Sequence, residues 1–342
     1  MAALRPLAVV VELVDKPGGR KTHHGEIPIV GGIGMFFGCV FGMGLLPPNN
    51  LITTSLLSAA ALVVIVGLID DRFEISPSAR LTAHLAAAIL AMTTAAGMSI
   101  QTLGSPFGNE PVVFSDFGSA AFTCVAIVGA INAFNMLDGM DGLAGSMAFI
   151  ALVALSVVGD TDVASVSIVG GGAVAAFLIF NIPAKYNRRF RCFMGDAGST
   201  LLGFLLACLC IAASQGEGPH MSPTTTLWFV AIPLYELLWT TMRRVLTGHS
   251  PFQPDRSHFH HKLLEAGFGV RGAFFVLICL GLLMAGIGIA IDSFSVPDHI
   301  SFLLWLASGL GAVILMQHAQ ILWFIVPRAL RRLRSAEAKP SP

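Results

Sequence analysis

Four short polar motifs interrupt a chain that is otherwise strongly apolar. They are Asp70-Asp71, the run 132–142 with Asn132, Asn135, Asp138 and Asp141, the segment 195–199 with Asp196, and the histidines His258, His260 and His261 that follow Arg256. Mg²⁺ prefers carboxylate and carbonyl oxygens and usually keeps waters and substrate phosphates in its shell. A glycine-rich helix start offers backbone N–H groups to phosphate. Together the motifs predict Mg²⁺-dependent phosphoryl transfer.

The first motif places two carboxylates side by side at a predicted helix end. Adjacent carboxylates repel each other unless a cation or a proton lies between them. Neighbouring side chains on a helix diverge by about 100°, so we expect Asp70 and Asp71 to have separate duties. One would face a metal or a substrate proton, and the other would bind a basic neighbour. The alternative, a solvent-facing pair, is disfavoured because acids at a helix C-terminus oppose the helix dipole.

The second motif predicts polar side chains along one helix face. Asn132, Asn135 and Asp138 are spaced by three residues and are therefore neighbours on a helix. Carboxamides within an apolar span are costly when unpaired, so a polar group is expected to meet them there. Asp141 follows in a glycine-rich turn.

The third motif and Arg80 each allow two interpretations. Asp196 at a helix start is expected to hold Mg²⁺ that bridges to a phosphate, and the alternative is an ordinary helix N-cap. Arg80 lies ten residues after the aspartate pair. It is either a phosphate contact or an arginine anchored at the membrane interface.

The histidine motif favours anion binding over zinc binding. His258, His260 and His261 lack a helical i,i+4 pair and have no cysteine nearby, whereas zinc sites commonly show one or the other. Arg256 beside them supports an anion-binding loop, and structural histidines are the third interpretation. Glu236 lies within an apolar span and needs a partner or a proton, which the sequence does not identify.

The composition identifies the class of protein that must position these motifs. Of 342 residues, 55% are hydrophobic and only 12% are charged, and the mean hydropathy is +0.77. These values exclude a soluble globular protein and a disordered one. Twenty basic residues balance twenty acidic ones, which gives no sign of nucleic-acid binding. No GxxxxGK[ST] sequence occurs, so transport driven by a P-loop ATPase is not supported.

Apolar segments predict an all-α, polytopic membrane protein with about ten spans. Two lie within 29–69, divided by Pro47-Pro48-Asn49-Asn50, and the others are 79–99, 118–137, 142–159, 164–184, 198–216, 224–242, 272–291 and 300–326. Alternating these spans places every Lys and Arg on one side, which is the cytoplasmic side by the positive-inside rule. All four motifs lie on that side. The chain is expected to form one membrane-embedded domain over 1–342, with a cytoplasmic loop at 243–271 that carries the histidines and a basic tail at 328–342.

The motifs together resemble those of the polyprenyl-phosphate N-acetylhexosamine-1-phosphate transferases. The resemblance rests on Asp70-Asp71, on N-x-x-N-x-x-D-G-x-D-G-L at 132–143, on Gly195-Asp196-x-Gly198-Ser199 and on the H-x-H-H loop. Asp15-Lys16-Pro17, the segment 27–32 and the loop 250–261 strengthen it. The likeness covers about residues 12 to 330 and is greatest to bacterial members that transfer N-acetylglucosamine 1-phosphate to undecaprenyl phosphate.

The resemblance implies a reaction and roles for individual residues. Undecaprenyl phosphate would react with a UDP-N-acetylhexosamine to give the lipid diphosphate sugar and UMP. UDP-N-acetylglucosamine is the implied donor. This is the first membrane step of O-antigen or other envelope polysaccharide synthesis at the bacterial inner membrane, with membrane lipids as surroundings. Mg²⁺ is the implied cofactor, with Mn²⁺ as a candidate substitute. The implied roles are metal binding for Asn135 and Asp196, lipid-phosphate deprotonation or metal positioning for Asp70 and Asp71, and substrate binding for Arg80, Asn132, Asp138, Asp141, Arg256, His258, His260 and His261.

Two alternatives stay open at this stage. The same chemistry can use another UDP-N-acetylhexosamine or UDP-N-acetylmuramoyl-pentapeptide, although the S-P-F-x-P-D-R-x-H-x-H-H loop disfavours the latter. A transporter of anionic solutes would need a polar site near the bilayer midplane rather than at one boundary. Relatives usually have eleven spans, but residues 1–14 are too short for one, so we expect ten. Whether the chain forms a homodimer is left open.

Overall fold

The structure is a computed structural model that describes residues 5–15, 26–46, 51–94, 98–182, 190–216, 221–250 and 258–319. Within these ranges the chain is mostly helical, with one short antiparallel pair of strands. The elements are α1 (Arg5–Val10), β1 (Val14–Asp15), β2 (Ile27–Pro28), α2 (Gly31–Met43), α3 (Leu51–Phe73), α4 (Pro77–Thr94), α5 (Asp116–Leu137), α6 (Leu143–Val158), α7 (Thr161–Asn181), α8 (Gly195–Ser214), α9 (Pro223–Phe229), α10 (Ala231–Leu246), α11 (Phe259–Glu265), α12 (Val270–Ser293) and α13 (Asp298–Gln317).

The helices confirm a polytopic membrane protein. Among the described residues, five helices are long and apolar enough to cross a membrane, namely α5, α7, α8, α12 and α13, and α2 and α6 are shorter apolar helices. Large apolar side chains such as Phe117, Ile168 and Leu310 are exposed, as expected for a surface that faces lipid. Nine of the ten predicted spans each contain one helix. The count of ten membrane crossings stays a prediction.

The predicted span 224–242 is wrong as a single helix. The chain divides it into α9 and α10 at Val230. Pro233 explains the break, because a proline has no backbone N–H and its ring clashes with the carbonyl four residues earlier, here that of Phe229. In the first turn of α10 the same proline is tolerated, since N–H groups there have no intrahelical acceptor.

Helix α8 forms the centre of the bundle. Almost all of its residues are buried, and it packs most extensively against α3 and α5. The chain before it is held by the segment that leads into α2: the N–H of Gly31 donates to the carbonyl of Phe193 at 2.9 Å, and that of Gly32 to Met194 at 3.1 Å. The N-terminal end of α8 is thereby fixed beside the C-terminal end of α3.

The opposite end of the bundle is joined by a separate hydrogen-bond cluster. Asp298 at the start of α13 accepts from the N–H of Ser105 at 2.8 Å and from the hydroxyl of Ser222 before α9. The Gln215 side chain after α8 accepts from the N–H of Gln101 at 2.9 Å and donates to the carbonyl of Thr102 at 3.0 Å. The segment between α4 and α5 is therefore fastened to α8, α9 and α13.

Candidate active site

The structure brings the four polar motifs together at one end of the bundle. Asp71 at the end of α3 contacts the start of α8, and Asn135 near the end of α5 contacts Asp196 in α8. Gly139, just after α5, lies directly against the ring of His260, where an added Cβ would come within 2.5 Å of a ring atom. Motifs separated by more than 180 residues thus form one site.

The two adjacent aspartates have separate partners, as the sequence predicts. Asp70 is buried, and its Oδ2 lies 3.0 Å from a guanidinium nitrogen of Arg80 at the start of α4. Its other oxygen accepts from the N–H of Ile75 at 2.9 Å. The carboxylate is therefore held at the junction between α3 and α4, where it also lines a cavity.

Asp71 binds the N-terminal end of α8. Its two oxygens accept from the N–H groups of Asp196 at 2.7 Å and Ala197 at 3.2 Å, an arrangement that the helix dipole favours. The prediction that this helix start binds a phosphate is wrong for these two N–H groups, because the Asp71 carboxylate already takes them. Asp196 itself is not the N-cap, which is Met194.

Gly195 is required at the start of α8 for two reasons. Its φ is +72°, in the left-handed region that favours glycine. A Cβ at this position would also lie 2.5 Å from an Asp71 carboxylate oxygen. A side chain here would disturb both the turn and the contact between α3 and α8.

Asn135 and Asp196 form the centre of the site. The Asn135 side-chain nitrogen donates to Asp196 Oδ1 at 2.6 Å and to the Ser199 hydroxyl at 3.1 Å. Asp196 also interacts with the Asp70 carboxylate. The Asn132 side-chain nitrogen donates to the carbonyl of Val128 at 2.7 Å. This bond uses one of its two N–H groups, and the side chain also lines the cavity.

Asp138 and Asp141 lie outside the cavity lining. Asp141 forms an ion pair with Arg191, a partner that the sequence analysis did not identify. Burial, together with the nearby charges of Asp196, Asp141 and Asp71, raises the pKa of Asp138 to about 8. Neither Asp138 nor Asp141 lines the cavity, so the structure separates them from the residues that a ligand there would touch.

The three histidines differ in their surroundings. His258 lines the cavity, and its Nδ1 lies 2.8 Å from Oε1 of the buried Glu236 in α10, which supplies the partner that the sequence left open. His260 is buried against Gly139, and burial together with the neighbouring His261 and His258 lowers its pKa to about 3. Neither His260 nor His261 lines the cavity. The structure does not place them among the residues of this cavity, and their role in substrate binding stays a prediction.

The zinc interpretation finds no support in the part of the chain that the structure describes. No group of three His, Cys, Asp or Glu side chains there is arranged to hold a metal ion. The rings of His258 and His260 are parallel within 4°, with centroids 5.8 Å apart, rather than converging on one point. Arg256, Lys16 and Pro17 lie outside the described residues, and so does most of the loop that precedes His258.

A cavity of about 690 Å³ joins the charged end of the bundle to an apolar wall. The predicted site residues that line it are Asp70, Arg80, Asn132, Asn135, Asp196 and His258. Its apolar lining comes from α3, α4, α5 and α10 and includes Val66, Leu81, Leu85, Val125, Val128 and Leu237. Polar groups at one end and hydrocarbon along the other suit an amphiphilic ligand.

Four further polar residues line the cavity and were missed by the sequence analysis, namely His84, Thr200, Thr241 and Arg244. His84 lies one turn after Arg80 in α4, Arg244 lies near the end of α10, and Thr200 lies one turn after Asp196 in α8. The i,i+4 spacings of His84 and Thr200 from predicted site residues were a usable signal, because such residues share a helix face. Arg244 had no comparable signal, since its neighbour Arg243 offers the same charge.

The donor set fits a magnesium ion. Asp196, Asn135 and Asp70 bring two carboxylates and a carboxamide to one end of the cavity. Mg²⁺ is usually held by one or two carboxylates, with waters and phosphate oxygens completing the shell. The approach of the Asp70 and Asp196 carboxylates also calls for a cation or a proton between them.

The helical membrane body and this cavity are those of a membrane-embedded transferase. Residues 53–214 match the family described as "Glycosyl transferase family 4". The chain is 36% identical over 335 residues to the undecaprenyl-phosphate alpha-N-acetylglucosaminyl 1-phosphate transferase of Escherichia coli strain K12, covering 96% of this chain and 90% of the relative. The proteins of the same name from Yersinia pestis and Pasteurella multocida are 36% identical over 337 and 303 residues, covering 97% and 87% of this chain and 92% and 84% of those proteins. The chain belongs to glycosyl transferase family 4.

Proposed function

We propose that this protein transfers N-acetylglucosamine 1-phosphate from UDP-N-acetylglucosamine to undecaprenyl phosphate. The products are undecaprenyl-diphosphate-N-acetylglucosamine and UMP. The relatives named for N-acetylglucosaminyl 1-phosphate transfer span nearly the whole chain, which supports the sugar and the acceptor. As the first lipid-linked sugar, the product would serve O-antigen or other envelope polysaccharide synthesis.

The observation that carries the proposal is the combined polar and apolar lining of the cavity. A polyprenyl phosphate has a charged head and a hydrocarbon tail, and the cavity offers Arg80 near its charged end and apolar side chains from α4 and α5 beyond it. A nucleotide sugar is water-soluble and would approach from the end that carries His258 and Arg244. The alternative of a solute transporter is less well supported, since these polar side chains lie at helix ends rather than midway along the bundle.

The reaction exchanges one phosphoanhydride for another. An oxygen of the lipid phosphate forms a bond to the phosphorus that carries the sugar, and the bond from that phosphorus to the UMP oxygen breaks. The bond between the sugar and its phosphate is kept, so the number and type of bonds are conserved. The free-energy change is therefore small, and no ATP or ion gradient is required.

Asp70 is the better candidate of the aspartate pair to face the acceptor, because it lines the cavity and Asp71 is engaged by α8. It would take the remaining proton of the phosphate monoester, whose second pKa is about 6. Arg80, 3.0 Å from Asp70, would orient the phosphate. Asp71 would act by fixing the position of Asp196.

Asp196 and Asn135 would hold Mg²⁺, with Asp70 close enough to contribute. When bound, the ion would neutralise negative charge on the phosphate oxygens. The chain's own part is to hold the two phosphates in line and to exclude water from the cavity. Mn²⁺, which accepts the same oxygen ligands, is expected to replace it.

The orientation follows from the distribution of charge. Every Lys and Arg falls on the side of the four motifs when the predicted spans alternate. Since basic segments stay in the cytoplasm, we propose that the site faces the cytoplasm of a bacterial inner membrane. UDP-sugars made in the cytoplasm would then reach it directly.

The test is a transfer assay with purified protein in detergent or nanodiscs. Radiolabelled UDP-N-acetylglucosamine, UDP-N-acetylgalactosamine and UDP-N-acetylmuramoyl-pentapeptide are each supplied with undecaprenyl phosphate, with Mg²⁺ or with excess chelator. We expect a lipid-linked product from UDP-N-acetylglucosamine with Mg²⁺, loss of product with chelator, and return of labelled UDP-sugar when excess UMP is added. Failure of UMP to reverse the reaction under conditions where it runs forward would contradict direct anhydride exchange. Product from another sugar alone would change the substrate and keep the chemistry.

A further inference from the structure

A buried histidine that the proposed mechanism does not use lines the cavity. His84 in α4 is only 5% exposed, and it contributes to the cavity lining together with Leu81 and Leu85 from the same helix. Within the described part of the chain, neither ring nitrogen has a hydrogen-bond partner. The charged groups that act on the ring are Arg80 and Asp70.

The position of His84 along α4 is informative. It lies four residues after Arg80, so the two side chains share one face of the helix, one turn apart. Helix α4 begins at the charged end of the bundle with Pro77 and ends at Thr94. His84 therefore lies beyond Arg80 in the direction in which the cavity lining changes from charged groups to Leu81, Leu85 and Val125.

The ring of His84 borders the cavity, so a molecule in the cavity can reach a polar group there. Burying a polar group costs free energy when no hydrogen bond replaces its contact with water. Polar side chains within a membrane-embedded bundle usually mark a substrate or ion path for this reason. His84 therefore offers a hydrogen-bonding group where the polar lining gives way to the apolar wall.

We propose that His84 is a binding residue for the phosphate of the lipid acceptor. The inference rests on the proposed function and deepens it, because it assigns the point in the cavity at which the phosphate joins the hydrocarbon chain. A ring N–H would donate to a phosphate oxygen on the side facing the tail, while Arg80 approaches from the charged end. Phosphate oxygens of the nucleotide sugar share this chemistry, so the experiment must separate the two ligands.

Three variants make the test. His84→Leu removes both nitrogens, and His84→Gln keeps an N–H donor on a side chain of comparable reach. His318→Leu removes an exposed histidine at the end of α13 and serves as the matched control for handling and stability. Equilibrium binding is measured with undecaprenyl phosphate and with undecaprenol, which has the same tail and no phosphate, and steady-state kinetics are measured for both substrates.

We expect His84→Leu to weaken binding of undecaprenyl phosphate by roughly tenfold or more, as is typical for loss of a hydrogen bond to a charged group. Binding of undecaprenol should change less than about twofold, because only the phosphate contact is lost. His84→Gln should retain most of the affinity, and His318→Leu all of it. In the kinetics, KM for the lipid phosphate should rise and KM for the UDP-sugar should stay constant.

Other outcomes would overturn the inference. An equal loss of affinity for the phosphate and the alcohol would mean that His84 only shapes the apolar wall. A selective rise in KM for the UDP-sugar would assign it to the nucleotide instead. Unchanged binding in His84→Leu would show that His84 does not contact the phosphate. The same conclusion would follow if wild-type protein bound the phosphate no better than the alcohol. Failure of the proposed function would look different: phosphate-dependent lipid binding would persist, and no lipid-linked sugar would form.

Discussion

At the residue scale, the properties of the site come from carboxylates that are each held by a different kind of partner. Asp70 is paired with a guanidinium, Asp71 with backbone N–H groups, and Asp196 with a carboxamide. Asp71 and Asp196 both have neutral partners, but only Asp196 of these two lines the cavity. Asp196 is therefore the group best suited to bind a cation.

Asp196→Asn tests this assignment. The neutral amide binds Mg²⁺ more weakly, so we expect kcat to fall by about a hundredfold or more, with the protein still monodisperse and folded. The measurement is a Mg²⁺ titration of the transfer rate, with Ser199→Ala as the control, since Ser199 contacts Asn135 from the neighbouring helix turn. Retention of most of the wild-type rate at saturating Mg²⁺ would refute metal binding by Asp196.

Asp138 provides a pH-dependent prediction. Its pKa in the folded protein is about 8, above the ordinary value of 3.8, so between these values the folded state holds a proton that the unfolded state has lost. Stability should then fall as the pH rises from about 4 to 8. Asp138→Asn cannot ionise, so its melting temperature in chelator should exceed that of wild type at pH 8, and the difference should shrink towards pH 5. Asp116→Asn, which removes an exposed carboxylate at the other end of α5, is the control. Parallel pH curves for Asp138→Asn and wild type would contradict the shifted pKa.

At the scale of elements, the site depends on how one helix end is held against another. Gly195 lets α8 begin beside Asp71, and Glu236 in α10 is paired with His258 immediately before α11. The first contact joins residues 125 positions apart, and the second joins the consecutive helices α10 and α11.

Gly195→Ala should strongly impair the protein. The added Cβ would meet the Ile29 side chain at 2.3 Å and the Asp71 carboxylate at 2.5 Å, and it would also be strained at φ +72°. Gly248→Ala separates the two effects, because φ there is +73° and nothing lies within 4 Å of its added Cβ. We expect the Gly248 variant to lose about 1 kcal/mol of stability from backbone strain and to keep its activity. The Gly195 variant should lose activity at least tenfold more. Equal losses of melting temperature and kcat in the two variants would show that the close approach of Ile29 and Asp71 to Gly195 is unimportant.

Glu236→Ala should loosen α11. Removing one partner of a buried pair leaves the other without compensation, and such changes are strongly destabilising. We expect faster hydrogen–deuterium exchange over 259–265 and a fall in kcat/KM for the UDP-sugar of roughly tenfold. Glu265→Gln removes a surface ion pair with Lys262, which is worth little, and should leave both measurements unchanged. Normal exchange in Glu236→Ala would mean that the pair with His258 does not hold the helix.

At the scale of the whole molecule, the two ends of the bundle have different tasks. One end gathers the cavity, and the other is fastened through Asp298 and Gln215. The fastened end carries no described residue of the cavity lining, so stability and activity should separate between the two ends.

Asp298→Ala tests this separation. It removes an acceptor for the N–H of Ser105 and for the hydroxyls of Ser222 and Thr224, which should lower stability by about 1–3 kcal/mol. The melting temperature should drop, and kcat at a permissive temperature should stay within about twofold of wild type. Glu110→Ala, an exposed acid in the same segment, should affect neither. A large loss of kcat in folded Asp298→Ala protein would show that the two ends are coupled.

The amino-acid sequence determined the class of the protein, the helix positions and the chemistry of its motifs. Hydropathy, glycine and proline placement and the one-sided distribution of Lys and Arg act locally, so they can be interpreted without neighbouring helices. The same reasoning correctly expected Asp70 and Asp71 to separate, because adjacent side chains on a helix must diverge. The prediction of a single helix over 224–242 was wrong, because Pro233 interrupts that apolar run.

Only the tertiary structure decided which partners these residues have. Four features depend on contacts between separate elements. Asp71 accepts from the N–H groups of α8, and Glu236 pairs with His258. His260 is buried against Gly139, and His84 faces the cavity. Most of these contacts join residues far apart along the chain, and their geometry follows from the crossing and relative rotation of packed helices. The spacing of residues within one helix does not determine that rotation. The sequence alone therefore could not show which side of α4 faces the cavity, or that His258 lines the cavity while His260 is buried elsewhere.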